Sequence, residues 1–135
     1  MSKSRTACLP SSAMFFLAHR VCFQDVGGNI VAPIGGTVSS STIGKNPDPY
    51  NTGILICQRN GSICCGNREV PNLTCYRLVH IDPSVTSGRV SEGAIVGTVR
   101  RPNSRDISPH VHVELYETEC KGGKPKLSRR CPSFQ

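Results

Sequence analysis

Aromatic residues are scarce in this sequence, with no tryptophan, three tyrosines and four phenylalanines in 135 residues, so one modest core has to be filled mainly by aliphatic side chains. The same shortage argues against a specific nucleic-acid surface. The basic residues are scattered apart from Arg100-Arg101 and the stretch Lys121 to Arg130, and no stacking platform accompanies them. Long apolar runs are missing too: none approaches the roughly 20 residues that cross a bilayer as a helix, so membrane insertion is not expected. A secretory leader is poorly written, because Lys3 and Arg5 precede only a broken apolar run, Ala13 to Ala18, cut short by His19 and Arg20. Carboxylates are the minority charge, nine against sixteen Lys and Arg. The net charge of +7 favours polyanions such as bacterial wall polymers, sulfated glycans or nucleic acid without choosing among them. A basic solvated surface is the plainer account of that charge.

What is abundant points to strands. Thirteen Gly and ten Pro punctuate short runs rich in Val, Ile and Thr, a pattern that stops helices and favours strands joined by turns, so an all-β or mainly β fold is expected. Eight cysteines (Cys8, Cys22, Cys57, Cys64, Cys65, Cys75, Cys120 and Cys131) lack the paired spacing of a zinc ribbon and read as disulfides in an oxidising, extracellular compartment. Their connectivity cannot be read from the residues. Two N-glycosylation triplets, Asn60-Gly61-Ser62 and Asn72-Leu73-Thr74, point weakly to the same compartment.

Along the chain, residues 1–24 carry no clear periodicity and are expected to be a poorly ordered N-terminal segment; residues 25–120 form the β core; residues 121–135 are a basic tail. The loss of pattern at Gln24, together with the missing leader, leads us to expect that residues 1–24 are foreign to the mature chain. Candidate strands are Ile30 to Pro33, Gly36 to Ser41, Gly53 to Gln58, Cys75 to Ile81, Ala94 to Val99 and His110 to Tyr116. Two polar loops separate them, Ile43 to Thr52 and Asn60 to Asn72, and a disulfide is expected to staple the second through its vicinal pair Cys64-Cys65.

The chemistry concentrates in His110-Val111-His112-Val113-Glu114-Leu115-Tyr116. This run alternates strictly, so a strand puts Val111, Val113 and Leu115 on one face and both histidines with Glu114 and Tyr116 on the other. Positions i and i+2 lie roughly 7 Å apart, a spacing that lets one imidazole bind a metal while its neighbour addresses a substrate or bound water. His80 ends another expected strand and can reach the same cavity. A catalytic zinc takes three protein ligands and keeps one position for water, so a carboxylate is also wanted; Asp25, at the start of the regular part of the chain, is the candidate. The competing account is a strand whose polar face merely happens to hold histidines.

Gly53-Ile54-Leu55-Ile56, the span Tyr76 to His80, Val90 to Val99 and Pro109-His110-Val111-His112-Val113-Glu114 together resemble the lysostaphin-type zinc metallopeptidase family, and Asp25 to Val38 looks like that family's first core strands. The resemblance covers about residues 25 to 117. It implies a compact barrel-sandwich of antiparallel strands, the duplicated hybrid motif, with Zn2+ as cofactor. Within the family the chain is most similar to the leukocyte cell-derived chemotaxin branch, and that likeness implies a Cys75–Cys120 bridge. It further implies His112 and Asp25 as metal ligands and His80 with His110 as the catalytic pair. The family sets its first histidine ligand three intervening residues before the aspartate; the upstream histidine here, His19, is separated from Asp25 by five. His19 is therefore the candidate third ligand with altered spacing.

Two functions follow from the resemblance. One is a secreted zinc endopeptidase that cleaves Gly-rich or cross-link peptides such as those of bacterial walls. The other is a non-catalytic extracellular protein that keeps the zinc site and binds a cell-surface receptor. A disulfide-rich β domain with no metal remains the plain alternative.

Overall fold

The computed structural model describes residues 19–23, 25–42 and 48–130. Ten strands make up almost all of it: β1 (His19–Phe23), β2 (Asn29–Val31), β3 (Gly36–Thr42), β4 (Thr52–Cys65), β5 (Arg68–Val79), β6 (Ile81–Pro83), β7 (Arg89–Val90), β8 (Ile95–Val99), β9 (His110–Lys121) and β10 (Lys124–Arg130). All pairings are antiparallel. The larger sheet runs β7-β3-β4-β5-β9, and the far edge of β9 is shared end to end by β1, against 110–114, and β10, against 115–121. The smaller sheet is β2-β8-β6. Among the described residues no helix is long and apolar enough to cross a membrane.

The alternation read from the sequence decides which face is buried. Ile54 and Ile56 of β4, Leu78 of β5, and Val111 and Val113 of β9 turn inward and meet Ile30, Ile81, Val96 and Val99 of the smaller sheet. Each fully buried aliphatic side chain contributes about 1.5–3 kcal/mol. The expected all-β class is observed. The two sheets face each other as a sandwich and do not close into a barrel.

Three expectations need correction. The segment Asn60 to Asn72 is not a polar loop, because β4 and β5 continue through it as a long hairpin, interrupted by a register shift between Arg59 and Ser62 and turned at Gly66, whose φ is 68°. That arm extends past the core, so its polar residues need no apolar face; the backbone ladder pairs its main chain, and side-chain bonds such as Asn60 Nδ2 to Thr74 Oγ1 and Leu73 N to Thr118 Oγ1 add to it. The basic tail from residue 121 also contains a strand: Gly122 and Gly123, at φ 59° and 76°, form a two-residue turn that returns β10 onto β9. At the other end, His19–Phe23 pairs with β9 and is a strand, while residues 1–18 and 24 lie outside the described residues.

The cysteine pairing differs as well. Cys75 bonds Cys57, which stands directly opposite it in the β4–β5 ladder with Cα atoms 4.1 Å apart, and Cys120 bonds Cys65 at the hairpin tip. A Cys75–Cys120 bridge is ruled out by register. Cys75 pairs with Tyr116, so Cys120 lies four residues further along β9, about 13 Å away at 3.3 Å per residue and beyond the reach of a disulfide. Cys8, Cys22 and Cys131 fall where no side chain is described. The two bridges fit an oxidising compartment.

Candidate functional site

The site lies where β4 begins, β5 ends and β9 begins, on the face of the larger sheet turned away from the core. Gly53 opens this corner. A Cβ there would sit 1.8 Å from the Leu78 carbonyl oxygen, so only glycine lets β4 close on the last residues of β5. The chain then leaves the larger sheet for the smaller one across a single residue, His80. Its φ of 73° is the only positive value at a non-glycine among the described residues. Backbone bonds clamp it on both sides: its N–H donates to the Thr52 carbonyl at 3.0 Å and its own carbonyl accepts from Arg100 N at 3.0 Å. A left-handed non-glycine costs about 1–2 kcal/mol, strain of the kind that marks functional sites. His80→Gly is therefore expected to be more stable than His80→Ala by about 1 kcal/mol, measured by urea unfolding of the two variants. Equal midpoints would show that the backbone at residue 80 is not strained.

His80 is one of three histidines gathered here. Its ring lies 4.9 Å from that of His110 and 6.2 Å from that of His112, centroid to centroid, and it stacks on Tyr50 at 4.1 Å with an interplanar angle of 14°. Tyr50 belongs to a 3-10 turn, Pro49–Asn51, capped by Asp48, whose carboxylate accepts from Tyr50 N at 3.0 Å. The Tyr50 ring is buried and its edge faces His110 at 6.4 Å.

Hydrogen bonds fix the tautomer of each ring. His80 Nδ1 is 2.8 Å from the Tyr50 carbonyl oxygen, and His110 Nδ1 is 2.8 Å from that of Ser108. A carbonyl only accepts, so both Nδ1 atoms carry a proton. His112 is the reverse: its Nε2 stands 2.9 Å from Glu114 Oε2. Glu114 is buried at 2% exposure, yet it is fully partnered. Oε1 accepts from Arg77 Nε and Tyr116 Oη, each at 2.7 Å, and Oε2 from Arg129 Nη2 at 2.9 Å as well as from His112. Burial alone pushes this carboxyl up, but the bonds from His112, Tyr116 and Arg77 and the Arg77 charge outweigh it and bring the pKa down to about 2. The carboxylate is thus purely an acceptor and His112 Nε2 is the donor. His80 is kept neutral, since burial lowers its pKa and the neighbouring His110 and His112 lower it further, against the raising effect of the Tyr50 carbonyl.

Of the residues read from the sequence, the structure brings His80, His110 and His112 together. Asp25 sits exposed in the turn after β1, where its backbone carbonyl accepts from Gly28 N at 3.0 Å. His19 enters through its backbone: it pairs with Glu114, Val21 with His112 and Phe23 with His110. Position 21 is where the family spacing before Asp25 would set its first histidine, and that position holds valine. Among the described residues no three His, Cys, Asp or Glu side chains are arranged to hold one ion. The His112 ring is oriented by a carboxylate, as the rings of metal-ligating histidines commonly are. Sequence reasoning missed Tyr50, Arg77 and Arg129. Tyr50 sits in a Pro-rich stretch with no periodicity, and the arginines meet Glu114 only through strand register.

Comparison with known proteins finds no family model, no curated protein and no solved structure that matches this chain.

Proposed function

We propose that this chain is a secreted zinc-binding protein of the lysostaphin type, with a metallopeptidase centre acting on Gly-rich or cell-wall cross-link peptides. The observation that carries the reading is the histidine cluster, in which each ring has one nitrogen tied to a carbonyl or carboxylate. This is the arrangement that metal-ligating and proton-transferring histidines share. His112, through Nδ1, would hold the metal with Asp25 and His19. Zinc held there would supply an acidified water, with a pKa of about 7, and polarisation of a scissile carbonyl. His80 and His110 would take up a proton from water and return it to the leaving amine, and Tyr50 holds the His80 ring in place. Burial of His80 keeps it in the neutral form that this role requires.

One observation favours a second reading: the ladder position opposite His112 is Val21. A chain that has lost a ligand there would bind metal weakly or for stability only and serve as a receptor-binding module like the chemotaxins. Metal analysis separates the two. Purified protein is expected to hold about one zinc per chain and to cleave a Gly-rich peptide in a chelator-sensitive way, with His112→Ala abolishing both. Stoichiometric zinc without cleavage would select the second reading, and protein free of zinc after reconstitution would end both.

A further inference from the structure

Beside the histidine cluster, the segment 101–109 leading into β9 and Val26 of the turn after β1 enclose a groove of about 310 Å3. Its apolar side is Val26 and Ile107, at 37% and 38% exposure two of the four large aliphatic residues left exposed among the described residues. Its polar side is Arg101 and Arg105. These two differ from the other arginines near the site. Arg77 and Arg129 meet Glu114, Arg100 meets Asp82 at 3.5 Å and Arg130 meets Glu117 at 3.6 Å. Arg101 and Arg105 have no hydrogen-bond, ion-pair or ring partner among the described residues. The nearby carboxylate of Asp48 is already engaged, by Tyr50 N and by Asn103 Nδ2 at 3.1 Å. That last bond ties the groove segment to the turn that positions His80. Pro109, which lines the groove, is followed directly by His110.

We propose that this groove seats an acidic peptide segment, its carboxylate on Arg101 and Arg105 and an aliphatic neighbour on Val26 and Ile107, so that the adjoining peptide bond is led to His110. The proposal deepens the peptidase reading and rests on it, by giving the substrate an acidic residue beside the glycine-rich stretch. Two unpaired guanidiniums beside exposed aliphatic side chains complement such a segment in both charge and polarity. A neutral or basic peptide leaves the same cations without a partner.

The test is anisotropy with fluorescein-labelled Gly-Gly-Glu-Leu-Gly-Gly and its Gln counterpart, on the full chain, with zinc content read on the same preparations. The Glu peptide is expected to bind about tenfold more tightly at low salt, with the preference eroded at high salt. The R101Q/R105Q variant should lose that preference with zinc content unchanged, while K124Q/K126Q, which removes distant cations of β10, should retain it. Equal binding of the two peptides by the unaltered protein, absence of binding to either, or a preference that survives R101Q/R105Q would overturn the proposal. Loss of zinc with the preference intact would instead count against the metal centre alone.

Discussion

Replacing Glu114 by glutamine is expected to destabilise the protein by about 3 kcal/mol at neutral pH, a fall in Tm of roughly 10 °C. The carboxylate is the hub onto which Arg77, Arg129, Tyr116 and His112 converge. Glutamine offers one acceptor and turns a donor toward groups that themselves donate, so cations and a ring N–H lose their partner. Arg129, at 46% side-chain exposure, can turn to water, whereas Arg77, at 19%, has less freedom, which keeps the loss near the lower end of the range for broken buried pairs. The sign of the pH dependence follows from the depressed pKa. A carboxyl near 4.5 when unfolded and about 2 when folded contributes its stability fully above pH 4.5 and loses it as pH falls toward 2. The gap between the native chain and Glu114→Gln should therefore shrink from about 3 kcal/mol at pH 7 to about 1 at pH 3. His80 adds acid sensitivity of the same sign, because its pKa is lowered from 6.5 on folding and protonation below that value favours the unfolded chain. Urea unfolding of both proteins across this range measures the gap, and a gap independent of pH would mean that the carboxylate charge is not what holds the network together. On the proposed zinc reading, affinity for the metal should also fall about 10–100-fold in the variant, since His112 loses the partner that orients its ring.

Much of this framework was legible beforehand, and for a definite reason. Where a strand has one face on the core, alternation reports it: Val111, Val113 and Leu115 against His110, His112 and Glu114 is a pattern that only a half-buried strand explains. The runs rich in Val, Ile and Thr likewise located β3, the inner part of β4 and β8. It fails where no core face exists. The outer halves of β4 and β5, with Asn60, Gly61 and Ser62, are paired but not packed on the core, so their composition reads as loop although their backbone is strand. β10, Lys-Pro-Lys-Leu-Ser-Arg-Arg, is an edge strand most of whose side chains are exposed, and Pro125 is tolerated there because an edge residue can forgo a ladder bond. The turn signal, Gly122-Gly123, was nevertheless present in the residues. At the site, His80, His110 and His112 could be named because histidine is rare in this chain. The contacts that set their proton positions, the Tyr50 carbonyl and the Glu114 carboxylate with its arginines, are products of register and sheet switching, and one-dimensional spacing does not encode them.

Removing the Cys65–Cys120 bridge is expected to cost about 4 kcal/mol, against about 3 for Cys57–Cys75. The order follows from loop length, since the first closes a sequence separation of 55 and the second of 18. Topology reinforces it. Cys57 and Cys75 join strands that the ladder already aligns, while Cys65 carries the tip of the projecting hairpin back to the outer end of β9, where no apolar core holds it. Loss of that bridge should free the arm first. Hydrogen exchange in residues 60–72 of C65S/C120S is expected to rise well ahead of exchange in Val111 to Leu115, whereas C57S/C75S should raise exchange evenly along the hairpin. Cys64 complicates the chemistry, because its exposed free thiol adjoins the bridge and can attack it to give the alternative Cys64–Cys120 pairing. The comparison is therefore best made in a Cys64→Ser background, with peptide mapping under non-reducing conditions to identify the linked pairs. A peptide joining Cys75 to Cys120 in that background, or a smaller loss of stability for C65S/C120S than for C57S/C75S, would contradict the register assigned to β5 and β9, and with it the placement of His80 beside His112.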